Sequence, residues 1–317
     1  MGLILRIVSI LAMVSAPLFF STNLIFGKSL AGAIEPWTLA FIRWLLVGLL
    51  LLPFSVLALK KGNAIANAGF AKIGIMGFLG MWICGAMVYF ALTLTSATNA
   101  TLIYLSSPVL ILIFEAVFNA RRITIREGTG IALACVGVLV ILAKGDVSKL
   151  VSLDFNAGDL FMVAAAIAWA VYSVMLRSPE FVAEPGHVVL CLFSLGAAIL
   201  LAPFAATEMM VIGLPQFSPQ IGLSLAGVVF LSSLLAFLAF QQSVRFAGPA
   251  VAGIMMYLLP IYGVGLAVFV LGEELFPFHI IGIVTILGGV ILATFPTALL
   301  KKIIKKKPKN HGPVWTD

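Results

Sequence analysis

The chain has 317 residues, of which 62% are hydrophobic and 10% are charged, and its mean hydropathy is +1.19. A single soluble core of this length cannot bury so much apolar surface, so the composition indicates a polytopic membrane protein. The loops between its apolar segments are short, which leaves no soluble domain for catalysis or nucleic-acid binding. The formal net charge of +7 is therefore interpreted through its distribution among the loops, which reports orientation in the membrane.

Ten segments are long and apolar enough to cross a bilayer, since a membrane helix needs about 20 mostly apolar residues. The first resembles a signal peptide, but Pro17 would follow the cut after Ala16, so we expect this helix to stay in the protein. The apolar runs are continuous rather than alternating, which favours helices over a transmembrane β-barrel. The predicted segments are 4–27, 37–59, 71–93, 98–118, 125–143, 157–177, 186–206, 221–243, 249–271 and 277–297.

Arg43 is the one basic residue that lies more than two residues from the end of a predicted membrane segment, since it is six residues from the start of the second. Its guanidinium could extend about 9 Å to the nearer headgroups. Alternatively it faces a cavity and binds a substrate carboxylate or phosphate, because its planar fork suits both groups.

The fourth segment combines Tyr104, Ser107 and Pro108 near mid-membrane, and the ninth carries Pro260 at the same depth. Proline removes one backbone donor and frees a carbonyl one turn earlier, which needs another partner in lipid. The pattern predicts either kinked helices packed on their neighbours or the wall of a polar cavity. Glu115, near the end of the fourth segment, is expected to form an interfacial ion pair with Arg121 or Arg122.

Trp169 lies about 18 Å into the sixth segment, and Tyr172 is on the adjoining turn. Membrane tryptophans usually lie at the interface, so a deep Trp indicates either core packing or a stacking wall for a planar or cationic substrate. Gln241, at the end of the eighth segment, could line an inner gate or belong to a polar helix end.

The two halves of the chain match at a nearly constant offset. "FSTNLIFGK" (20–28) aligns with "WAVYSVMLR" (169–177), and residues 106–142 align with 258–294, which pairs Pro108 with Pro260 and Gly137 with Gly289. Each repeat holds five helices, an odd number, so the second copy is inverted. We therefore predict an all-α integral membrane protein of ten transmembrane helices in two inverted five-helix repeats, residues 1–145 and 146–300, with a basic tail, 301–317. Such repeats support alternating access.

The basic residues predict that both termini are cytoplasmic in a multi-pass inner-membrane protein. Only Lys28, Lys144 and Lys149 fall on the other side. The predicted cytoplasmic set is Arg6, Lys60, Lys61, Lys72, Arg121, Arg122, Arg126, Arg177, Arg245, Lys301, Lys302, Lys305, Lys306, Lys307 and Lys309.

Several stretches together, over roughly residues 10–296, resemble the EamA-like branch of the drug/metabolite transporter superfamily. Phe20 stands where that family usually has Trp, and "NARR" (119–122) replaces a Gly-Glu turn. The resembling stretches are "STNLIFGK" (21–28), "FIRWLL" (41–46), "TSATNATLIYLSSP" (95–108), "AAAIAWAVYSVMLR" (164–177) and the run from "PAVAGIMMYLLP" to "GGVILA" (249–293).

The resemblance implies a secondary transporter of small organic metabolites such as amino acids, often an exporter, and not an enzyme. The alternatives are efflux of drugs or cations, and uptake of sugar phosphates or other metabolites. No mid-membrane carboxylate is available as a proton carrier, which favours facilitated or exchange transport.

We expect the lipid bilayer and a small-molecule substrate as partners, with no nucleic acid, cofactor or metal; the sequence is compatible with a monomer. Cys84, Cys135 and Cys191 lie singly and show no metal-binding spacing. The expected substrate cavity is lined by Asn23, Arg43, Tyr89, Asn99, Tyr104, Ser107, Pro108, Trp169, Tyr172, Gln241, Tyr257 and Pro260.

Overall fold

The computed structural model describes residues 3–30, 32–59, 69–144, 146, 156–272 and 274–294. Ten of its helices are long and apolar enough to span a membrane, which confirms the predicted fold class. Lys60, Lys61, Lys149, the predicted repeat boundary at residue 145 and the tail 301–317 lie outside the described residues. The spans are α1 (Ile4–Leu30), α2 (Pro36–Ala58), α3 (Gly69–Ala91), α4 (Ala97–Phe118), α5 (Ile125–Leu142), α6 (Ala157–Met175), α7 (Gly186–Ile212), α8 (Pro219–Ala247), α9 (Pro249–Val270) and α10 (Pro277–Thr294).

Most of the predicted helix ends agree with the structure, and α7 shows the largest difference. This helix continues to Ile212, beyond the predicted end at residue 206. Glu208 does not terminate it, because its carboxylate accepts hydrogen bonds from the backbone N–H groups of Trp37 (3.3 Å) and Thr38 (2.7 Å), at the start of α2. The first N–H groups of a helix lack partners within that helix, so a carboxylate is well placed there.

Five of the spans are interrupted, and four of these interruptions form repeat-related pairs. Helices α3 and α8 contain π-helical stretches, Phe78–Met87 and Val228–Leu235. Helices α4 and α9 are each broken just before a proline, and the new segments, Ser107–Phe118 and Leu259–Leu271, carry Pro108 and Pro260 in their first turns. The fifth interruption is in α1, at Thr22.

The two repeats pack through equivalent helices, α2 against α7 and α5 against α10. Glycines set the spacing of the second pair. A Cβ atom on Gly130 would lie 2.6 Å from the carbonyl oxygen of Gly289, and one on Gly137 would lie 2.7 Å from that of Gly282. Backbones this close exclude any side chain, and such contacts are a common way for membrane helices to associate.

We call the side of the bundle where α1 begins the N-terminal face and the other side the opposite face. Successive spans cross the bundle in alternating directions, and contacts between helix ends agree with this. The end of α3 meets the start of α6 through Thr95 and Asp159 on the opposite face, and the end of α4 meets the start of α9 through Glu115 and Ala250 on the N-terminal face.

Candidate functional site

Aromatic side chains from both repeats meet at the centre of the bundle. Trp169 is 5% exposed, and its ring lies 5.7 Å from that of Phe20, edge to face. These two residues are aligned in the two repeats, so their contact places the pseudo-two-fold axis between them. Stacking of Trp169 on Tyr172 and contacts with α8 complete the aromatic cluster, which consists of Phe20, Trp169, Tyr172, Phe237 and Phe240.

Arg43 points into the bundle and does not extend to the headgroups, since it is 6% exposed. It donates hydrogen bonds to the Ser233 hydroxyl, to the Tyr89 hydroxyl (3.0 Å) and to the Ser232 carbonyl oxygen (3.0 Å). Its guanidinium carbon also lies 4.8 Å from the centre of the Trp44 ring.

The group around this guanidinium, which we call the arginine cluster, joins four helices. Tyr89 of α3 donates a hydrogen bond to the Asn23 side-chain oxygen of α1 (2.9 Å). The arginine cluster consists of Asn23, Arg43, Tyr89, Ser232 and Ser233. Three of these residues are among the predicted cavity residues, and the structure brings them together.

The positive charge of Arg43 is surrounded by neutral partners. Within the described ranges, no carboxylate oxygen lies within 4.0 Å of its nitrogens. A buried charge is costly unless it is paired or fully hydrogen-bonded. Three neutral partners leave this site electrostatically suited to a negatively charged group.

Ser232, Ser233, Phe237 and Phe240 contribute to these clusters but were not predicted as site residues. Ser233 is positioned by the π-helical stretch, in which its hydroxyl donates to the carbonyl oxygen of Val228, five residues earlier (2.7 Å). The sequence carried a signal for the serine pair, since adjacent serines are unusual in the middle of an apolar span. It carried none for their pairing with Arg43.

The predicted residues in α4 and α9 form a second group. The backbone carbonyl groups in the break of α4, before Pro108, have hydrogen-bond partners within the protein. The Tyr104 carbonyl oxygen accepts a hydrogen bond from the Ser107 hydroxyl (2.6 Å). The Leu105 carbonyl oxygen, in the same break, accepts one from the Tyr257 hydroxyl (3.1 Å). Pro108 is buried beside Ser107. These contacts support packing between the two broken helices.

Asn99 lies at the opposite face, away from the arginine cluster. Its side-chain nitrogen donates to Asp159 (3.3 Å), which also accepts a hydrogen bond from the Thr95 hydroxyl (2.6 Å). Asn156 and Asp159 form a capping box at the start of α6. Asn99 therefore belongs to a group that ties the ends of α3, α4 and α6 together.

Glu115 forms the predicted ion pair with Arg121, with 3.6 Å between the charged atoms, which confirms that expectation. It also contacts Arg177 (3.4 Å) and accepts a hydrogen bond from the Ala250 N–H group (3.0 Å). A cavity of about 670 Å³ opens beside these groups at the N-terminal face.

Comparisons with a family model and with known sequences both identify transporters as the similar proteins. The model of the EamA-like transporter family matches residues 7–143 and 156–295, once per repeat. The chain is 27% identical over 284 residues to an uncharacterized transporter of Archaeoglobus fulgidus, covering 87% of this chain and 94% of that protein.

Two further matches extend the comparison. An S-adenosylmethionine uptake transporter of Rickettsia bellii is 27% identical over 191 residues, covering 59% of this chain and 60% of that protein. A solved crystal structure superposes with a TM-score of 0.74 at 22% identity, over 94% of this chain and 98% of that one, and therefore shares its fold.

Proposed function

Because the chain belongs to the EamA-like transporter family, we propose that it is a secondary carrier that exports small anionic or zwitterionic metabolites, such as amino acids, by alternating access. The observation that carries the proposal is Arg43, a buried charge whose described partners are all neutral. A substrate carboxylate would supply the missing negative charge, and the planar guanidinium favours carboxylate or phosphate.

Alternating access is supported by the arrangement of the clusters. Phe20 and Trp169 close the centre at the pseudo-two-fold axis, while the arginine cluster lies towards the opposite face, about 10 Å from the start of α2. Exchange of conformation between inverted repeats would expose a central substrate first to one face and then to the other. One chain supplies both repeats, so a monomer would suffice, acting as a carrier rather than an enzyme.

We further propose that transport is facilitated or proceeds by exchange. Among the described residues, the buried carboxylates of Glu115, Glu127 and Asp159 lie within three residues of a span end, and Glu184 lies in a loop. None of these four is beside the aromatic cluster or Arg43, where a coupled proton would be exchanged. The N-terminal face is proposed to be cytoplasmic, in a cell's inner membrane.

The rival function is uptake, or transport of cations. The similarity to S-adenosylmethionine uptake transporters favours testing a substrate that combines a carboxylate with a flat heterocycle, because Trp169 offers a stacking surface. Sugar phosphates would also suit Arg43. Cationic drugs would not, since the arginine cluster adds positive charge.

The test is counterflow into proteoliposomes with labelled amino acids, S-adenosylmethionine, sugar phosphates and cationic dyes. Arg43→Gln is expected to raise the KM for anionic or zwitterionic substrates about tenfold or more, because a hydrogen bond to a charged group is lost. Arg43→Lys should recover part of the loss. Direction is then measured as release from, or accumulation in, intact cells.

Arg122→Gln is the control, since Arg122 is exposed and should retain wild-type KM. Equal transport of every carboxylate substrate by Arg43→Gln and the wild type would remove the assigned role of Arg43. Transport of cationic dyes alone would replace the proposal with drug efflux.

A further inference from the structure

One face of α8 carries Ser233, Phe237 and Gln241, each four residues from the next. Residues at this spacing share a helix face, and the separation of eight positions between Ser233 and Gln241 corresponds to about 12 Å along the axis. Ser233 contacts Arg43, and Phe237 belongs to the aromatic cluster. Gln241 therefore lies on the other side of that cluster from Arg43, towards the N-terminal face.

Gln241 and Tyr172 are buried without hydrogen-bond partners. They are 1% and 0% exposed, respectively. Within the described part of the chain, neither amide atom of Gln241 nor the Tyr172 hydroxyl has a partner of hydrogen-bonding geometry. The Gln241 amide is close enough to the Tyr172 hydroxyl to interact with it, but the two groups are not oriented for a hydrogen bond.

Rigid surroundings hold this pair in place. A Cβ atom on Gly80 would lie 2.7 Å from the Tyr172 ring, so the backbone of the π-helical stretch of α3 packs directly against that side chain. Trp169 lies against Tyr172 on one side and against Phe240, the neighbour of Gln241, at 4.8 Å on the other. The oxygen of Gln241 faces Gly186, where an added Cβ atom would lie 3.4 Å away.

Unpartnered polar atoms in the interior of a membrane protein destabilise the empty state, since neither lipid nor packed side chains can hydrogen-bond to them. We propose that Tyr172 and Gln241 form a binding subsite for an uncharged group of the substrate that both donates and accepts hydrogen bonds, such as a carboxamide or a hydroxyl. This inference rests on the proposed function and adds to it a second recognition point, across the aromatic cluster from Arg43.

The chemistry of the two side chains defines the ligand class. A glutamine amide donates through its nitrogen and accepts through its oxygen, and a phenol does both through one atom. Neither side chain carries a charge that would select an ion. The flat rings of Trp169 and Phe240 beside them suit an apolar or planar body joining the two ends of the substrate.

The experiment compares pairs of probes that differ in one group: L-tyrosine with L-phenylalanine, and L-glutamine with L-norleucine. Counterflow by the wild type should favour the hydrogen-bonding member of at least one pair about tenfold, the effect of one buried hydrogen bond left unmade. Gln241→Leu and Tyr172→Phe should reduce that preference to within about twofold. Equal preference in Gln241→Leu and the wild type would overturn the subsite.

Gln242→Leu is the matched control. Gln242 is adjacent in sequence but donates a hydrogen bond to Ser9 (2.8 Å), on a different side of α8. It should keep the wild-type preference between the paired probes. The same loss of preference in Gln241→Leu and Gln242→Leu would mean that the effect is not specific to the subsite.

Thermal unfolding of the purified protein without substrate separates this inference from the proposed function. Gln241→Leu should raise the unfolding temperature by a few degrees, because it removes two unpartnered polar atoms, whereas Gln242→Leu should lower it. If the wild type moves none of the four probes, amino-acid transport fails but the unfolding result still decides the subsite. A lower unfolding temperature for Gln241→Leu would show that the amide is satisfied within the protein, and the subsite would be rejected.

Discussion

Tyr89 shows how a single hydroxyl joins distant parts of this protein. It accepts a hydrogen bond from Arg43 of α2 and donates one to Asn23 of α1. Each of these partners is an expected cavity residue, and Arg43 carries the charge on which the proposed substrate class depends. Removing the Tyr89 hydroxyl oxygen therefore takes away one hydrogen-bond partner of the Arg43 guanidinium and leaves its charge in place.

We expect Tyr89→Phe to lower the free energy of unfolding by about 2 kcal/mol, because two hydrogen bonds are lost and each contributes about 1 kcal/mol. The KM for anionic substrates should also change several-fold, because Arg43 loses one of its three partners. Thermal unfolding in detergent and counterflow measure the two effects.

Tyr262→Phe provides the comparison, since the Tyr262 hydroxyl on α9 makes no hydrogen bond to the described residues. It should leave both quantities near the wild-type values. If Tyr89→Phe matched Tyr262→Phe in stability and in KM, the role assigned to the Tyr89 hydroxyl would be wrong.

At the scale of helices, the breaks and the close contacts have different roles. The π-helical stretches of α3 and α8 and the breaks of α4 and α9 surround the centre, where a carrier has to change shape. The α5–α10 pair is continuous and packed backbone to backbone through glycines. The glycines therefore fix the spacing of this pair.

We expect Gly137→Ala to destabilise the protein by about 1–3 kcal/mol, the usual cost of overpacking. The added Cβ atom would lie 2.7 Å from the Gly282 carbonyl oxygen and 2.7 Å from the Ile286 nitrogen, and backbone atoms cannot move aside cheaply. The measurement is the unfolding temperature in detergent.

Gly128→Ala is the control on the same helix, because no atom lies within 4 Å of a Cβ atom placed there. Alanine is a better helix former than glycine by up to about 1 kcal/mol, so this variant should be as stable as the wild type or slightly more so. If Gly128→Ala lost as much stability as Gly137→Ala, the close backbone contact at Gly137 would not be the cause of the destabilisation.

At the scale of the whole molecule, the proposed orientation depends on positive charge in the loops. Asn119 is exposed at the N-terminal face, between α4 and α5, and Gln216 is exposed at the opposite face, between α7 and α8. The distribution of basic residues predicts that the first lies in the cytoplasm and the second outside.

A membrane-impermeant maleimide should therefore label Gln216→Cys in intact cells and should label Asn119→Cys only after the membrane is permeabilised. The wild type, with Cys84, Cys135 and Cys191 in the spans, gives the background. Labelling in the reverse order would invert the proposed topology while leaving the fold unchanged.

Ten spans, two inverted repeats and the paired prolines were all predictable from the sequence. Length of an apolar run decides whether a helix crosses a bilayer, and Pro108 and Pro260 interrupt helices through their own covalent structure. The repeat alignment also pairs Phe20 with Trp169, whose rings are in contact in the structure. These features depend on neighbouring residues or on internal similarity, both of which are visible in one chain.

Tertiary structure alone decided which way Arg43 points and what it meets. Its partner Ser233 is 190 residues away in sequence, and that serine reaches it through the π-helical register of α8. The unpartnered state of Gln241, and the satisfied carbonyls of the α4 break, likewise depend on which helix lies opposite. Hydrogen bonds in a bilayer interior are made between helices brought together by packing, so apolar periodicity predicts the spans but not the polar contacts between them.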